Sequence, residues 1–179
     1  MKLHSTPLNG CIVLTPTIFS DQRGHFYESY NKDVFDKSLG YEVNFVQDNE
    51  SFSTKGTLRG LHFQKGSYAQ AKLTRVVQGT VLDVAVDLRE NSPTFGTHFS
   101  IELSSDNKKQ LFIPRGFAHG FVVLSDTAIF SYKCDNYYHK DSESGIIYND
   151  PTLNIDWILP SEQLQLSEKD LQLPKFTAI

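Results

Sequence analysis

Cysteine is scarce in this 179-residue chain: Cys11 and Cys134 stand far apart, in no metal-binding or redox spacing. That excludes a disulfide-stapled fold and predicts two reduced thiols. A basic surplus is absent, with Lys and Arg numbering 17, Asp and Glu 21, and a formal net charge of -4. Without spare cations to displace phosphate counterions, no nucleic-acid partner is expected. Long apolar runs are missing too. None approaches the ~20 residues of a membrane-spanning helix, and the opening MKLHSTPLNG lacks the apolar stretch of a secretory signal. No membrane partner and a cytoplasmic location are the expectations. Internal repeats, low-complexity tracts and Pro/Gly/Ser-rich linkers are lacking as well, so positions 1–179 read as one domain.

What is present is apolar and aromatic. Hydrophobic residues make up 39% of the chain, enough for one sizeable core. The 13 Phe, 8 Tyr and 1 Trp favour strands. Short strand-like runs cover residues 11–15, 25–30, 43–52, 58–63, 71–77, 81–88, 98–103, 110–113, 118–124 and 128–134. Ser53-Thr54-Lys55-Gly56 and Gln78-Gly79-Thr80 have the look of hairpin turns. Leu82, Val84, Val86 and Leu88 alternate with Val81, Asp83, Ala85 and Asp87, which predicts one buried face and one partly polar face. Many short strands at near-regular spacing point to a mostly β sandwich or jelly-roll barrel.

Helix signals are few. Asn31 can cap a short helix that ends at Leu39 before Gly40. Ser167-Glu168-Lys169-Asp170 has the pattern of a second helix start.

Three segments carry groups capable of chemistry. Gly56-Thr57-Leu58-Arg59-Gly60-Leu61-His62-Phe63-Gln64 sets Arg59 and His62 in an apolar strand. Alternation would send them to opposite faces, whereas a bulge at Gly60 would bring both to one interior. A surface Arg and a hydrogen-bonded core His are an equally good reading. Ile113-Pro114-Arg115-Gly116-Phe117-Ala118-His119-Gly120 contains P-x-G-x-x-H, which resembles the second motif of the cupin superfamily. Metal cupins pair that His with an H-x-H, where this chain has His62-Phe63-Gln64. At most two imidazoles remain, so no metal is expected, because a catalytic metal usually needs three protein ligands. Lys72, in the third segment, shares a strand face with Thr74, and by itself reads as a solvated strand end. Tyr132 reads most simply as a core aromatic, and Asp170 as a helix-start carboxylate.

Together these groups fit one reaction class. A neutral His beside a carboxylate is a general base. A buried Lys stabilises an enolate oxygen. A phenol on the opposite wall can return a proton to the other face. The sum is an epimerisation beside a carbonyl, with no metal or redox cofactor. Arg23, Arg59 and Lys169 would suit a phosphate-bearing substrate.

Ordered motifs along residues 12–170 make a specific resemblance. They include Asp21-Gln22-Arg23-Gly24, Phe45-Val46-Gln47-Asp48-Asn49, Leu58-Arg59-Gly60-Leu61-His62-Phe63-Gln64, Ala69-Gln70-Ala71-Lys72-Leu73, Ser92-Pro93-Thr94-Phe95-Gly96 and Asn136-Tyr137-Tyr138. The chain resembles the dTDP-4-dehydrorhamnose 3,5-epimerase family. The resemblance implies a cupin-type jelly-roll β-barrel with a few short helices, a homodimer, and a dTDP-sugar substrate inverted at both carbons flanking its ketone. By matching position it implies His62 as proton acceptor, Asp170 as its orienting carboxylate, Tyr132 as proton donor and Lys72 on the ketone oxygen. It implies substrate contacts at Arg23, Glu28, Gln47, Asp48, Asn49, Arg59, His119, Glu143 and Lys169, with Tyr138 as a stacking surface. Arg23 and Glu28 are expected to serve the partner's pocket. His25 and Cys134 depart from the family pattern, and no role is attached to either.

Overall fold

The computed structural model describes residues 1–178; Ile179, the last position of the expected domain, lies outside them. The strands are β1 (Lys2–Ser5), β2 (Ile12–Thr15), β3 (Phe19–Asp21), β4 (Gly24–Phe26), β5 (Gln47–Thr54), β6 (Leu58–Gln64) and β7 (Lys72–Gln78). They continue as β8 (Thr80–Asp87), β9 (His98–Ser104), β10 (Gln110–Ile113), β11 (Phe117–Val123), β12 (Thr127–Cys134) and β13 (Glu143–Gly145). One sheet has the order β1-β2-β10-β7-β12-β5, the second β13-β6-β11-β8-β9, and β3-β4 forms a separate ribbon. All named pairings are antiparallel. The result is the expected mostly β, cupin-type jelly roll.

Two turns expected to close hairpins do not. β7 lies between β10 and β12, while β8 lies between β11 and β9 in the other sheet. The Gln78-Gly79-Thr80 turn therefore crosses between sheets. Gly79 takes a left-handed φ of 82° there, and a Cβ would meet Thr127 O at 2.1 Å. The Ser53–Gly56 turn likewise carries the chain from β5 to β6 across the sheets. Turn chemistry marks where a chain reverses, but strand partners are decided by distant segments that bury more surface.

Strand β8 also corrects the expected polar face, because both of its faces are buried. Val81 and Ala85 pack inside with Leu103, Phe121 and Phe130. Leu82, Val84 and Val86 pack outside against Ile146, Leu153 and Trp157. Asp83 and Asp87 are fully buried within this strand. Phe121 and Phe130 stack with centroids 4.1 Å apart, joining the two sheets at the core. Removing such a ring typically costs about 3–5 kcal/mol.

The expected strands at residues 25–30 and 43–52 are shorter, ending at Phe26 and beginning at Gln47. Between them α1 (Lys32–Leu39) forms as expected, with Asn31 Oδ1 accepting from Val34 N and Gly40 left-handed at the C-terminal end. Its Phe35 is buried with Val43, Leu73 and Phe112. Helix α2 (Glu168–Leu171) is capped by Ser167, whose Oγ accepts from Asp170 N at 3.1 Å.

Candidate active site

The site begins with an irregularity in β6. His62 lies opposite His119 on β11, and Arg59 opposite Phe121, so three steps on β6 face two on β11. Gly60, with φ 130°, absorbs the extra residue. A Cβ at Gly60 would sit 2.6 Å from Gly120 Cα, so the backbones touch where only glycine fits. The bulge, one of the two readings open for this strand, thus brings Arg59 and His62 to one cavity of about 610 Å³, which they line with Lys72, His119, Tyr132 and Asp170.

On one wall, His62 Nε2 lies 2.7 Å from Asp170 Oδ1. Asp170 is 4% exposed. Burial by itself would raise its carboxyl, but the His62 hydrogen bond and charge, with bonds from the Gly60 backbone and Ser167, hold it below the usual carboxylate range. An ionised carboxylate only accepts, so Nε2 carries a hydrogen, and in the neutral imidazole the lone pair is therefore on Nδ1. His119 makes a second such pair: its Nε2 lies 2.6 Å from Asp83 Oδ1. Thr74 donates to Asp83 Oδ2 at 2.8 Å from the opposite sheet. Burial lowers the His119 pKa.

Lys72 and Tyr132 come from the other sheet. Lys72 is not the solvated strand end that its position suggests. Its ammonium lines the cavity, 5.7 Å from the Tyr132 ring centroid, and loss of solvation holds its pKa below the ordinary value. Burial pushes the Tyr132 phenol up. Arg59 donates to Ser53 Oγ at 3.2 Å.

A second cavity of about 300 Å³ shares His62, Lys72, Asn49 and Tyr132 with the first and adds Gln47, Gln64, Tyr138 and Glu143. The four shared residues stand where the chambers meet. At the rim, Glu143 Oε2 accepts from Lys169 Nζ at 2.6 Å and from Tyr138 OH at 3.0 Å. Burial opposes the charge on Glu143, but these two bonds keep its carboxyl low.

Three of the expected site residues lie elsewhere in the chain. Asp48 alternates outward from Gln47 and Asn49 and pairs with Lys133 Nζ at 2.9 Å. Arg23 sits on the exposed β3–β4 ribbon, paired with Asp21 at 2.6 Å. Glu28 accepts from Asn31 Nδ2 at 3.0 Å, beside α1. His25 is exposed and stacks on Tyr27. Cys134 is buried, accepts a bond from Asn49 Nδ2, and has its thiol pushed up to about 11 by burial. Among the described residues, no group of three or more His, Cys, Asp or Glu side chains is arranged to hold a metal ion.

Sequence reasoning passed over Asp83 and Thr74 as parts of the site. An acid in an otherwise apolar strand was the available signal for Asp83. Ser53, which steadies Arg59, carried none.

The family model described as dTDP-4-dehydrorhamnose 3,5-epimerase matches residues 5–178. The Escherichia coli (strain K12) protein of that name is 54% identical over 173 residues, covering 97% of this chain and 93% of the relative. A crystal structure of dTDP-4-dehydrorhamnose 3,5-epimerase from Elizabethkingia anophelis NUHP1 superposes with a TM-score of 0.96 at 57% identity, covering 99% of this chain and 97% of that one. The dTDP-6-deoxy-D-glucose-3,5-epimerase of Legionella pneumophila Philadelphia 1, solved in complex with dTDP-4-keto-L-rhamnose, gives 0.95 at 48% identity, covering 99% and 94%. A match of this extent, joined to the cavity geometry, shows that the chain belongs to the dTDP-4-dehydrorhamnose 3,5-epimerase family.

Proposed function

We propose that this protein is an isomerase that epimerises dTDP-4-dehydro-6-deoxy-D-glucose at both carbons flanking the ketone, giving dTDP-4-dehydro-L-rhamnose. One observation carries the reading. His62 on one sheet, paired with Asp170 of α2, and Tyr132 on the other sheet line the same cavity, which Lys72 lines beside Tyr132. His62 Nδ1 takes the proton beside the ketone, and Asp170 stabilises the imidazolium that forms. The electron pair moves onto the ketone oxygen, where the Lys72 ammonium meets the developing charge. Tyr132 then delivers a proton to the opposite face, and the configuration inverts. Exchange with solvent then removes the proton from His62 and reprotonates the Tyr132 phenolate, and the same cycle serves the second carbon.

Arg59, His119, Gln47, Asn49, Glu143 and Lys169 bind the sugar and its diphosphate in this reading, and Tyr138 offers its ring face to the nucleotide. Arg23 and Glu28 are proposed to contact substrate only in a homodimer, across the interface, while Asp48 pairs with Lys133 outside both chambers. The exposed β3–β4 ribbon, with Phe19 and Phe26 more than 60% exposed, supports such pairing. Two free buried thiols suit a cytoplasmic location. No helix is long and apolar enough to cross a membrane.

The test is NMR of the keto sugar in D2O with the enzyme. Deuterium at both flanking carbons is expected, with the L-rhamno product. Deuterium at one carbon alone reduces the activity to that of a mono-epimerase, and neither exchange nor product refutes the reading. Sedimentation at micromolar concentration tests the dimer.

A further inference from the structure

The segment that carries Tyr138 has no strand to hold it. Residues 136–139 run between β12 and the short turn Lys140–Ser142. Among the described residues, the backbone N–H groups of Tyr137, Tyr138 and His139 donate only to side-chain carboxamides. These are Asn136 Oδ1 at 2.9 Å, Gln47 Oε1 at 3.1 Å and Gln64 Oε1 at 2.6 Å. Gln64 is 8% exposed and uses its whole amide. Its Nε2 donates to Tyr68 O at 3.1 Å and Tyr137 O at 3.2 Å, so it ties two loops together. The Tyr68 and His139 rings stack across that join, 4.0 Å apart.

Only a carboxamide satisfies this arrangement. One side must accept from an N–H while the other donates to two carbonyls. A carboxylate would face two carbonyl oxygens, and an apolar chain would strand three backbone groups. The ring that this brace steadies is itself half exposed, at 53% for Tyr138, beside a chamber that the amides of Gln47, Asn49, Gln64 and Gln70 line together with His62, Lys72 and Glu143. An exposed aromatic on a pinned backbone offers a flat heterocycle a stacking face, and the amides beside it offer donors and acceptors to that heterocycle's edge.

We propose that Gln64 is a specificity-determining positioning residue, whose carboxamide braces residues 137–139 and so holds the Tyr138 ring as a preformed face for the base of the nucleotide substrate. The inference rests on the proposed function and adds a residue to it. Gln64 acts through the loop, two positions along β6 from His62, and touches no reacting atom. Its benefit is pre-organisation: the loop is ordered before the ligand arrives.

Gln64→Met keeps the length and removes every polar bond. With the dTDP keto sugar, KM is expected to rise ~10-fold while kcat stays within ~3-fold. Calorimetry with dTDP alone should show Kd rising in step. The change should act through Tyr138, so adding Gln64→Met to Tyr138→Ala should worsen KM by less than ~2-fold. A fall in kcat at unchanged KM, an unaltered dTDP affinity, or full additivity with Tyr138→Ala overturns the proposal. Should Gln64→Met fail to fold, Gln64→Glu keeps the acceptor and loses the donors, and the same readouts apply. If the wild-type chain turns over no dTDP sugar, the proposed function fails. If it turns over normally and the Gln64 variants match it, only the brace fails.

Discussion

His62 and Asp170 stand 108 positions apart in the chain, yet Nε2 of one lies 2.7 Å from Oδ1 of the other. The bond joins a bulged strand of the five-stranded sheet to a four-residue helix near the C-terminal end. It follows that the two residues should fail by different routes. His62→Asn removes the base, so turnover is expected to drop by ~10²–10⁴-fold or more, with deuterium exchange lost alongside. Asp170→Asn keeps the imidazole but withdraws the charge that stabilises its protonated form, and a loss of at least ~10²-fold is expected. Single-turnover exchange in D2O checks both. Activity within a few-fold of wild type for His62→Asn discards it as the base.

Lys72 and Tyr132 are shifted in opposite directions by the same cause, burial. Lys72 is charged below its depressed pKa and neutral above it. Tyr132 keeps its proton to higher pH than the ordinary phenol value of about 10. Lys72 should therefore set the alkaline limb of the kcat/KM profile. In Lys72→Arg that limb should move upward, because a guanidinium stays charged across the range. A limb left where it was assigns it to another group. Tyr132→Phe should spare deuterium exchange and slow net inversion, and equal loss of both removes its role as the opposite-face acid.

Gly60→Ala tests the bulge. The added methyl would press on Gly120 Cα and His119 O, at 2.6 and 2.9 Å, in a left-handed backbone. A cost of about 2–4 kcal/mol in unfolding free energy is expected. Residual folded enzyme should lose activity as well, since the contact bears on the strand step that aligns Arg59 with His62. Wild-type stability in a denaturant titration would remove the close-contact argument.

Asp87 lies outside the cavity and is one of the carboxylates that the fold holds low. Burial by itself would raise its carboxyl, but Arg89, Ser92 and Thr94 hydrogen-bond to it and hold it far below the usual range. A carboxyl depressed in the folded state stabilises above its unfolded value of about 3.9, and that contribution fades as pH falls toward the folded value. Asp87→Ala should cost about 1–3 kcal/mol at neutral pH, because Arg89, Ser92 and Thr94 lose their hydrogen bonds to the carboxylate while Arg89 stays partly solvated. The gap to wild type should narrow as pH falls from 4 to 2. A constant gap, followed by urea unfolding at each pH, would assign the loss to packing.

The β architecture, α1 with its Asn31 and Gly40 ends, and the S-x-x-D start of α2 were legible in the residues, because alternation, caps and turns are local physics. The Gly60 bulge was legible as one of two readings, since an Arg and a His on one apolar strand need a break in alternation to meet. The motif resemblance reached further, to the family and the His62, Lys72, Tyr132 and Asp170 set.

The linear pattern by itself determined most of the central strands, where the chain turns, and which side chains could move a proton, but it carried no signal for β1, β3 and β13. Only the tertiary structure decided which strands pair. It sent β5 to β6 and β7 to β8 across the sheets where hairpins were expected, and it turned Asp83 into the partner of His119. It also withdrew Lys72 from solvent and set it beside Tyr132. The reason is common to all of these: pairing, burial and solvation depend on groups dozens of residues away, whose approach follows from how the whole core closes.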